Sequence, residues 1–546
     1  MKRVPFLLLI VLCVFIAGCG PSAGGSYTVT GRITKADDPG QGLEGVTIAF
    51  SGAYGVATTD TSGNWSMTGL KGTVTVTPAK TDWGFNPVSR QVTKAANDID
   101  FIASSSLYTV SGRVTCQDTG QALEGVTISF SGGYGAVDTG PDGTWSKGEL
   151  KGAVTVTPTK ESWIFNPSST PVSGAASGVD FTALRVFPIV FDDPRLDAAV
   201  RWRIGKPTGQ LMNTDVMHIT KLWISSRDIA RLGGMEHLIN LRELRMYDNQ
   251  ISDINPLAGL TNITLIDLSD NMLFDISPLS GLTNIQTLYL RNNRISDISP
   301  LSSLTNIQIL DLGENWISDI SPLSGLTNLQ VLILDANRFD DISALAGLTN
   351  IQSLYLGNNQ VSDISPLAGL TNLEELYLRS NQISDISALA GLTKLKELYL
   401  RGNQILDIGS LAKLADIEVL HLGYNQISDI GALAGLTSIY SLELSGNQIS
   451  DIGALAGLTS IYSLELSENQ ISDIDALAGL TGIRAFFLSH NRISDISALV
   501  ANPGLDGGDN VYIEYNCLDV SPGSDDMQSI DTLNRRGVAV YYRPQR

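Results

Sequence analysis

The sequence predicts a multidomain protein: two small antiparallel β-sandwich modules, followed by a solenoid whose parallel strands form a curved sheet with short 3₁₀ or α return turns. Three observations predict it. Asparagine recurs every 22 residues without a miss, at Asn249, Asn271, Asn293, Asn315, Asn337, Asn359, Asn381, Asn403, Asn425, Asn447, Asn469 and Asn491. Upstream of that array, segment 27–104 returns as 106–184 with its landmarks in the same order. The 546 residues also exceed what one ordinary core accommodates, so several domains or a repeat array are required.

The chain opens with Lys2 and Arg3 and an apolar run from Val4 to Ala17. That run is short for a membrane span, and charge followed by an apolar stretch is the order of a secretory signal. It ends in Ile16-Ala17-Gly18-Cys19, which resembles the lipobox of bacterial lipoproteins. The resemblance implies a signal over residues 1–18, cleavage before Cys19, and acylation of that cysteine, with 19–26 as a Gly/Ser-rich linker. The other reading is an ordinary signal with an incidental cysteine. Several acyl chains hold a protein on a bilayer far better than one, so the expected partner is a membrane, reached through the N-terminal lipid. Gly20 does not resemble the aspartate that retains such lipoproteins at an inner membrane. The expected location is therefore extracytoplasmic, lipid-anchored to the cell membrane or an outer membrane. Cys116 and Cys517 lie in different segments, so no disulfide framework is expected.

In the duplicated segment, Tyr27-Thr28-Val29-Thr30-Gly31-Arg32 is matched by Tyr108-Thr109-Val110-Ser111-Gly112-Arg113. Trp65, Trp83 and Phe85-Asn86-Pro87 are matched by Trp145, Trp163 and Phe165-Asn166-Pro167. Stretches such as Val46-Thr47-Ile48-Ala49-Phe50 alternate apolar and polar residues, the period of half-buried strands, and Gly, Pro, Asn and Asp clusters punctuate them. Each copy therefore reads as a small sandwich. Both copies resemble carboxypeptidase regulatory-like modules of bacterial surface proteins, which implies a tandem spacer. The tryptophans admit two roles, core packing or a sugar-stacking platform.

The solenoid is expected over 218–510, with caps at 190–217 and 511–546. Ile285, Leu288 and Leu290 precede Asn293 as Leu373, Leu376 and Leu378 precede Asn381, which is the L-x-x-L-x-L-x-x-N signature of leucine-rich repeats. Leucines bracketing one exposed residue suit a short strand with its apolar side chains inside. Strands about 4.8 Å apart give an array of about 65 Å for about fourteen coils. The return limb Ser277-Pro278-Leu279 reads as a turn with Ser at the N-cap and Pro first in the helix. An aspartate also follows each Asn by four residues, from Asp253 to Asp495. Those carboxylates could form a cation-binding ridge or cap backbone N–H groups, and capping is favoured. Asp193-Pro194 opens a cap helix, Arg227 stands where the first coil would carry Asn, and Ser524 to Tyr542 reads as a helix and a terminal strand.

The array resembles that of bacterial internalins, with the phrase Gln382-Ile383-Ser384-Asp385-Ile386. The resemblance implies that each ladder asparagine is buried at its turn and satisfies backbone groups of its own and adjacent coils. Internalins usually place the array first and carry a C-terminal wall-sorting signal. Here the array comes last and the chain ends Tyr541-Tyr542-Arg543-Pro544-Gln545-Arg546, so gripping of host receptors is not carried over.

Net charge is −20, and no basic cluster suits a phosphate backbone, so nucleic acid is not an expected partner. The sequence contains no HExxH, GxSxG or P-loop, and its four histidines lack metal-ligand spacing. No enzyme activity, metal or cofactor is expected. The candidate ligand surface is the concave strand face. There Tyr355, Tyr377 and Tyr399 would stack, with Arg379 and Arg401 in the next column and Glu375 and Glu397 on the other side. Tyr289, Arg291 and His421 complete the candidate set, and the expected ligand is a protein or glycan. An alternative function is an envelope protein whose β modules bind wall or capsule polysaccharide.

Overall fold

The computed structural model describes residues 25–546, so the signal segment and Cys19 lie outside the described residues. Two compact units divide between Val186 and Phe187. Each is described separately.

In the first unit, each module has two four-stranded sheets. In module one, Tyr27–Lys35 lies between Asn64–Leu70 and Phe101–Ser105, with Trp83–Asn86 at the edge; Thr47–Phe50 lies between Val56–Thr58 and Val74–Ala79, with Arg90–Val92 at the edge. The second module repeats this order. Antiparallel pairing dominates, but the first strand is long enough to pair twice. Its start runs antiparallel to Asn64–Leu70, and its end (Ile33 opposite Phe101) runs parallel to the last strand. Val114 and Phe181 repeat that parallel pair. Alternation places Val29 and Ile33 from one sheet and Ile48, Val74 and Val76 from the other in one buried apolar cluster. Trp65 and Trp145 are each 4% exposed and pack on Phe50 and Phe130 at 5.8 Å between ring centroids. These two rings are core.

The second unit is a fifteen-stranded parallel sheet from Lys221–Trp223 to Ala539–Tyr541, one strand more than the coil count expected from the period. The extra strand comes from the C-terminal cap, where helix Asp525–Arg535, capped by Ser524, returns the chain onto the sheet edge. At the other end Asp193 caps helix Pro194–Ile204 by accepting from the Arg195 N–H. Before that helix, Pro188–Ile189 pairs antiparallel with Leu211–Met212.

Each coil turns for the same local reasons. The two strand leucines and the return-limb Ile and Leu side chains fill one continuous core along the array. Asn381 is buried among them, and its Nδ2 donates to the carbonyls of Leu356, Leu378 and Arg379 at 3.0, 3.1 and 3.3 Å, while its Oδ1 accepts from the Val361 N–H at 3.0 Å. The ladder continues one step beyond the regular spacing, at buried Asn516. The return limb differs in one detail from its sequence reading. Ser277 is the first residue of the 3₁₀ turn rather than its cap, and Ile276 holds the cap position with no side-chain bond. Capping comes instead from Asp275, whose Oδ1 accepts from the Ser277 N–H at 2.8 Å. A carboxylate is the stronger acceptor, so it takes the orphan donor and moves the serine inward by one. The same bond recurs at Asp385 to Ser387 and Asp495 to Ser497, at 2.8 and 2.7 Å.

Candidate binding surface on the strand face

Strand registry fixes this surface. The last residues of successive strands face one another in order: Tyr355, Tyr377, Tyr399, His421, Glu443, Glu465 and Phe487. The rings of Tyr355 and Tyr377 stack with centroids 4.3 Å apart at 14°, and those of Tyr377 and Tyr399 at 4.3 Å and 10°. His421 ends the stack edge-on to Tyr399, at 4.7 Å and 70°.

Carboxylates in the flanking column lock the stack. The Tyr355 hydroxyl donates to Glu375 Oε2 and the Tyr377 hydroxyl to Glu397 Oε2, both at 2.7 Å; Tyr399 donates to the same Glu397 oxygen at 3.2 Å. Burial, then the neighbouring glutamates, push the Tyr355 and Tyr377 hydroxyls well above the usual phenol range. Burial likewise holds His421 below the ordinary imidazole value, which favours its neutral form.

On the other flank, Arg379 and Arg401 are exposed. Arg401 Nη1 donates to Glu443 Oε1 at 2.8 Å, and its guanidinium lies 4.2 Å from the Tyr424 ring centroid. The two outlying candidates fall elsewhere. Tyr289 lies between Asp267 and Asp311, and Arg291 pairs with Glu314. The structure thus brings together Tyr355, Glu375, Tyr377, Arg379, Glu397, Tyr399, Arg401 and His421, and leaves Tyr289 and Arg291 apart.

Two positions in this column depart from the expectation that the residue bracketed by the leucines is exposed. Asp311 and Glu443 are each 8% exposed. Glu443 folds back over Gly423, where a Cβ would lie 2.0 Å from its Oε1, and accepts from the Gly423 N–H at 3.0 Å. Glycine at that position makes room for the buried carboxylate. Burial raises the carboxyl pKa of Asp311 and of Glu465. Beyond the histidine, Arg401, His421, Tyr424, Glu443, Glu465 and Phe487 help line a hollow of about 410 Å³. A second aromatic stack follows it: Phe487 on Tyr512 at 4.7 Å and Tyr512 on Tyr541 at 4.6 Å. The spacing does not reach Tyr512 and Tyr541, because both lie after the 22-residue period breaks.

This surface offers rigid ring edges, guanidinium donors and carboxylate acceptors. Among the described residues no group of three or more His, Cys, Asp or Glu side chains is placed to hold a metal ion, and no helix is long and apolar enough to cross a membrane. The family model for leucine-rich repeats (two copies) matches residues 239–282, 261–303, 283–325, 305–347, 327–369, 349–391, 371–413 and 415–457. No curated protein matches the chain. Among solved structures, a leucine-rich-repeat protein of Leptospira interrogans is similar at 20% identity, with a TM-score of 0.50 over 60% of this chain and 97% of that one, a likeness of fold alone. An internalin (inlF) from Listeria monocytogenes is similar at 38% identity, with a TM-score of 0.58 over 61% of this chain. Since that identity extends over 98% of the internalin's own length, the chain belongs to the internalin-like family of leucine-rich-repeat proteins.

Proposed function

We propose that this protein is a surface recognition protein: a lipid at Cys19 fixes one end, the β modules serve as spacer, and the strand face of the solenoid binds a protein ligand. The observation that carries the reading is the locked stack of Tyr355, Tyr377 and Tyr399, with Arg379 and Arg401 beside it. Tyr and Arg are the residues most enriched at binding hot spots, and side chains already held in place lose little entropy on binding. Glutamates that accept the tyrosine hydroxyls satisfy the polar ends and leave the ring edges for a partner.

A polysaccharide-binding role for the β modules would draw on their tryptophans. Trp65 and Trp145 are buried, and Trp83 and Trp163 are half-buried against the same cores, which argues against it. The test is an unbiased pulldown that compares residues 187–546 with residues 25–186, the two compact units. The proposal expects specific capture by the first fragment. Capture by the second alone, or of wall sugar by it, would replace recognition with an envelope role.

A further inference from the structure

The cap helix Pro194–Ile204 uses two faces. Leu196 and Val200 are buried against the first coils. Arg195, Ala198, Ala199 and Trp202 fall at i, i+3, i+4 and i+7, so they share a different stripe. Ala199 is half-buried against the core, but the rest of that stripe is exposed, and Trp202 is 84% exposed. Across from it stands Trp223, 61% exposed, at the end of the first solenoid strand, followed by Ile224 and Arg227. Together they line a hollow of about 550 Å³. The alanines keep its floor open, where longer side chains would fill it.

Tryptophan is highly buried on average, so two exposed ones facing a single hollow are unusual, and such apolar patches mark interaction sites. The charge here also runs against the rest of the chain. Net charge is −20, yet the lining holds Arg195 and Arg227 and no carboxylate. A third guanidinium, Arg245, lies 5.5 Å from the centroid of the Trp223 ring. Nearby carboxylates are engaged elsewhere. Asp193 accepts from the Arg195 and Ala230 N–H groups, each at 2.9 Å. Asp197 pairs with Arg201 at 2.6 Å, and Asp228 accepts from the Gln250 amide at 3.2 Å.

The lining side chains therefore offer hydrogen-bond donors and no acceptor. Sugar hydroxyls donate as well as accept, so a glycan buried here would leave donors unpaired, which is costly. A carboxylate only accepts, and guanidinium meets it with a planar fork. We propose that this hollow binds an acidic protein segment: a bulky apolar side chain sits against Trp202 and Trp223, and its flanking carboxylates meet Arg195 and Arg227. The site is separate from the tyrosine stack. Six strand spacings lie between Trp223 and Tyr355, about 30 Å at about 4.8 Å each.

The test titrates the full chain against the peptide acetyl-EEFEE-amide, with 4-fluorophenylalanine at its centre, followed by ligand-observed ¹⁹F NMR. Saturable line broadening is expected at or below millimolar concentration. It should weaken at least tenfold for Trp202→Ala and for the double change Arg195→Gln with Arg227→Gln. These side chains are exposed, and the one bond lost is from Arg195 Nη1 to the Asp228 carbonyl at 3.1 Å, so thermal midpoints should move little. Broadening should persist in Tyr377→Ala with Arg379→Ala, which separates this site from the strand-face reading. The KKFKK counterpart should not broaden, and EEAEE, which carries no fluorine, should not displace EEFEE in competition. Absence of broadening at about 5 mM, a regime already weaker than about −4 kcal/mol of binding, would overturn the proposal. So would equal binding by KKFKK or by the variants. Tighter binding of oligogalacturonate would replace it with an acidic glycan. Dimerisation of the full chain that Trp202→Ala abolishes would replace it with a second copy.

Discussion

Asn381 joins two coils through one amide, and nothing of similar size can take over its four bonds. Replacement by alanine strands buried carbonyls and an N–H, so Asn381→Ala should cost about 1–3 kcal/mol. Gln382→Ala, at an exposed neighbour, should stay within about 0.5 kcal/mol. Urea midpoints of the two variants decide this, and equal midpoints would refute the buried ladder. That ladder was legible because a strict period at one residue type has few explanations. A second one was not. Asn262, Asn284, Asn306, Asn328, Asn350 and Asn372 each donate from Nδ2 to a carbonyl of the preceding coil, at 2.8–2.9 Å. These asparagines also recur every 22 residues, but the run stops at Lys394 and lies on the outer return limb. Spacing alone does not distinguish a bonded surface amide there from a solvated one.

At the scale of one coil, the return turn depends on charge. Bonds from the Ser365 and Ser387 backbones hold the Asp363 and Asp385 carboxyls below the usual carboxylate range. Their folded pKa lies under the unfolded value of about 3.9, so the stability they contribute is complete above that pH and is lost as pH falls through the lower, folded value. The double change Asp363→Asn with Asp385→Asn should therefore flatten the fall in urea midpoint below about pH 4. Buried Asp311 acts with the opposite sign. Its folded pKa is raised by burial, so its contribution is greatest at low pH and declines as pH rises from the unfolded value through the raised one. Asp311→Asn should remove that decline, giving a higher midpoint at pH 7 relative to pH 3 than in the unsubstituted chain. Unchanged slopes in both variants would mean that neither set is ionised as described. The aspartate column and its capping were visible in the sequence, but Ser277, read as the cap, lies one residue inside the turn, because Ser-Pro is also a common way to open a helix. The burial of Asp311 and Glu443 depends on what lies across them, and a period of 22 does not report neighbours from adjacent coils.

Over the whole molecule, the caps, the repeat count to within one strand and the duplicated modules were legible, since each depends on pattern within the chain. The exposed tryptophans of the cap were not, because amphipathic spacing identifies a core stripe without showing whether a second stripe is covered. The proposed anchor makes a prediction at this scale: fatty-acid labelling in vivo should mark the protein and be lost in Cys19→Ser, whereas undiminished label would remove the anchor. In the proposed function the strand face recognises a partner through the tyrosine stack. The most direct measurement is proximity crosslinking and capture with the intact protein and with Tyr377→Ala plus Arg379→Ala, followed by the affinity of both for whatever is captured. The stack predicts a folded double variant whose affinity falls by at least about 2 kcal/mol. The same partner, bound equally well by both, would contradict it and move the site toward the hollow around Glu443 and Glu465.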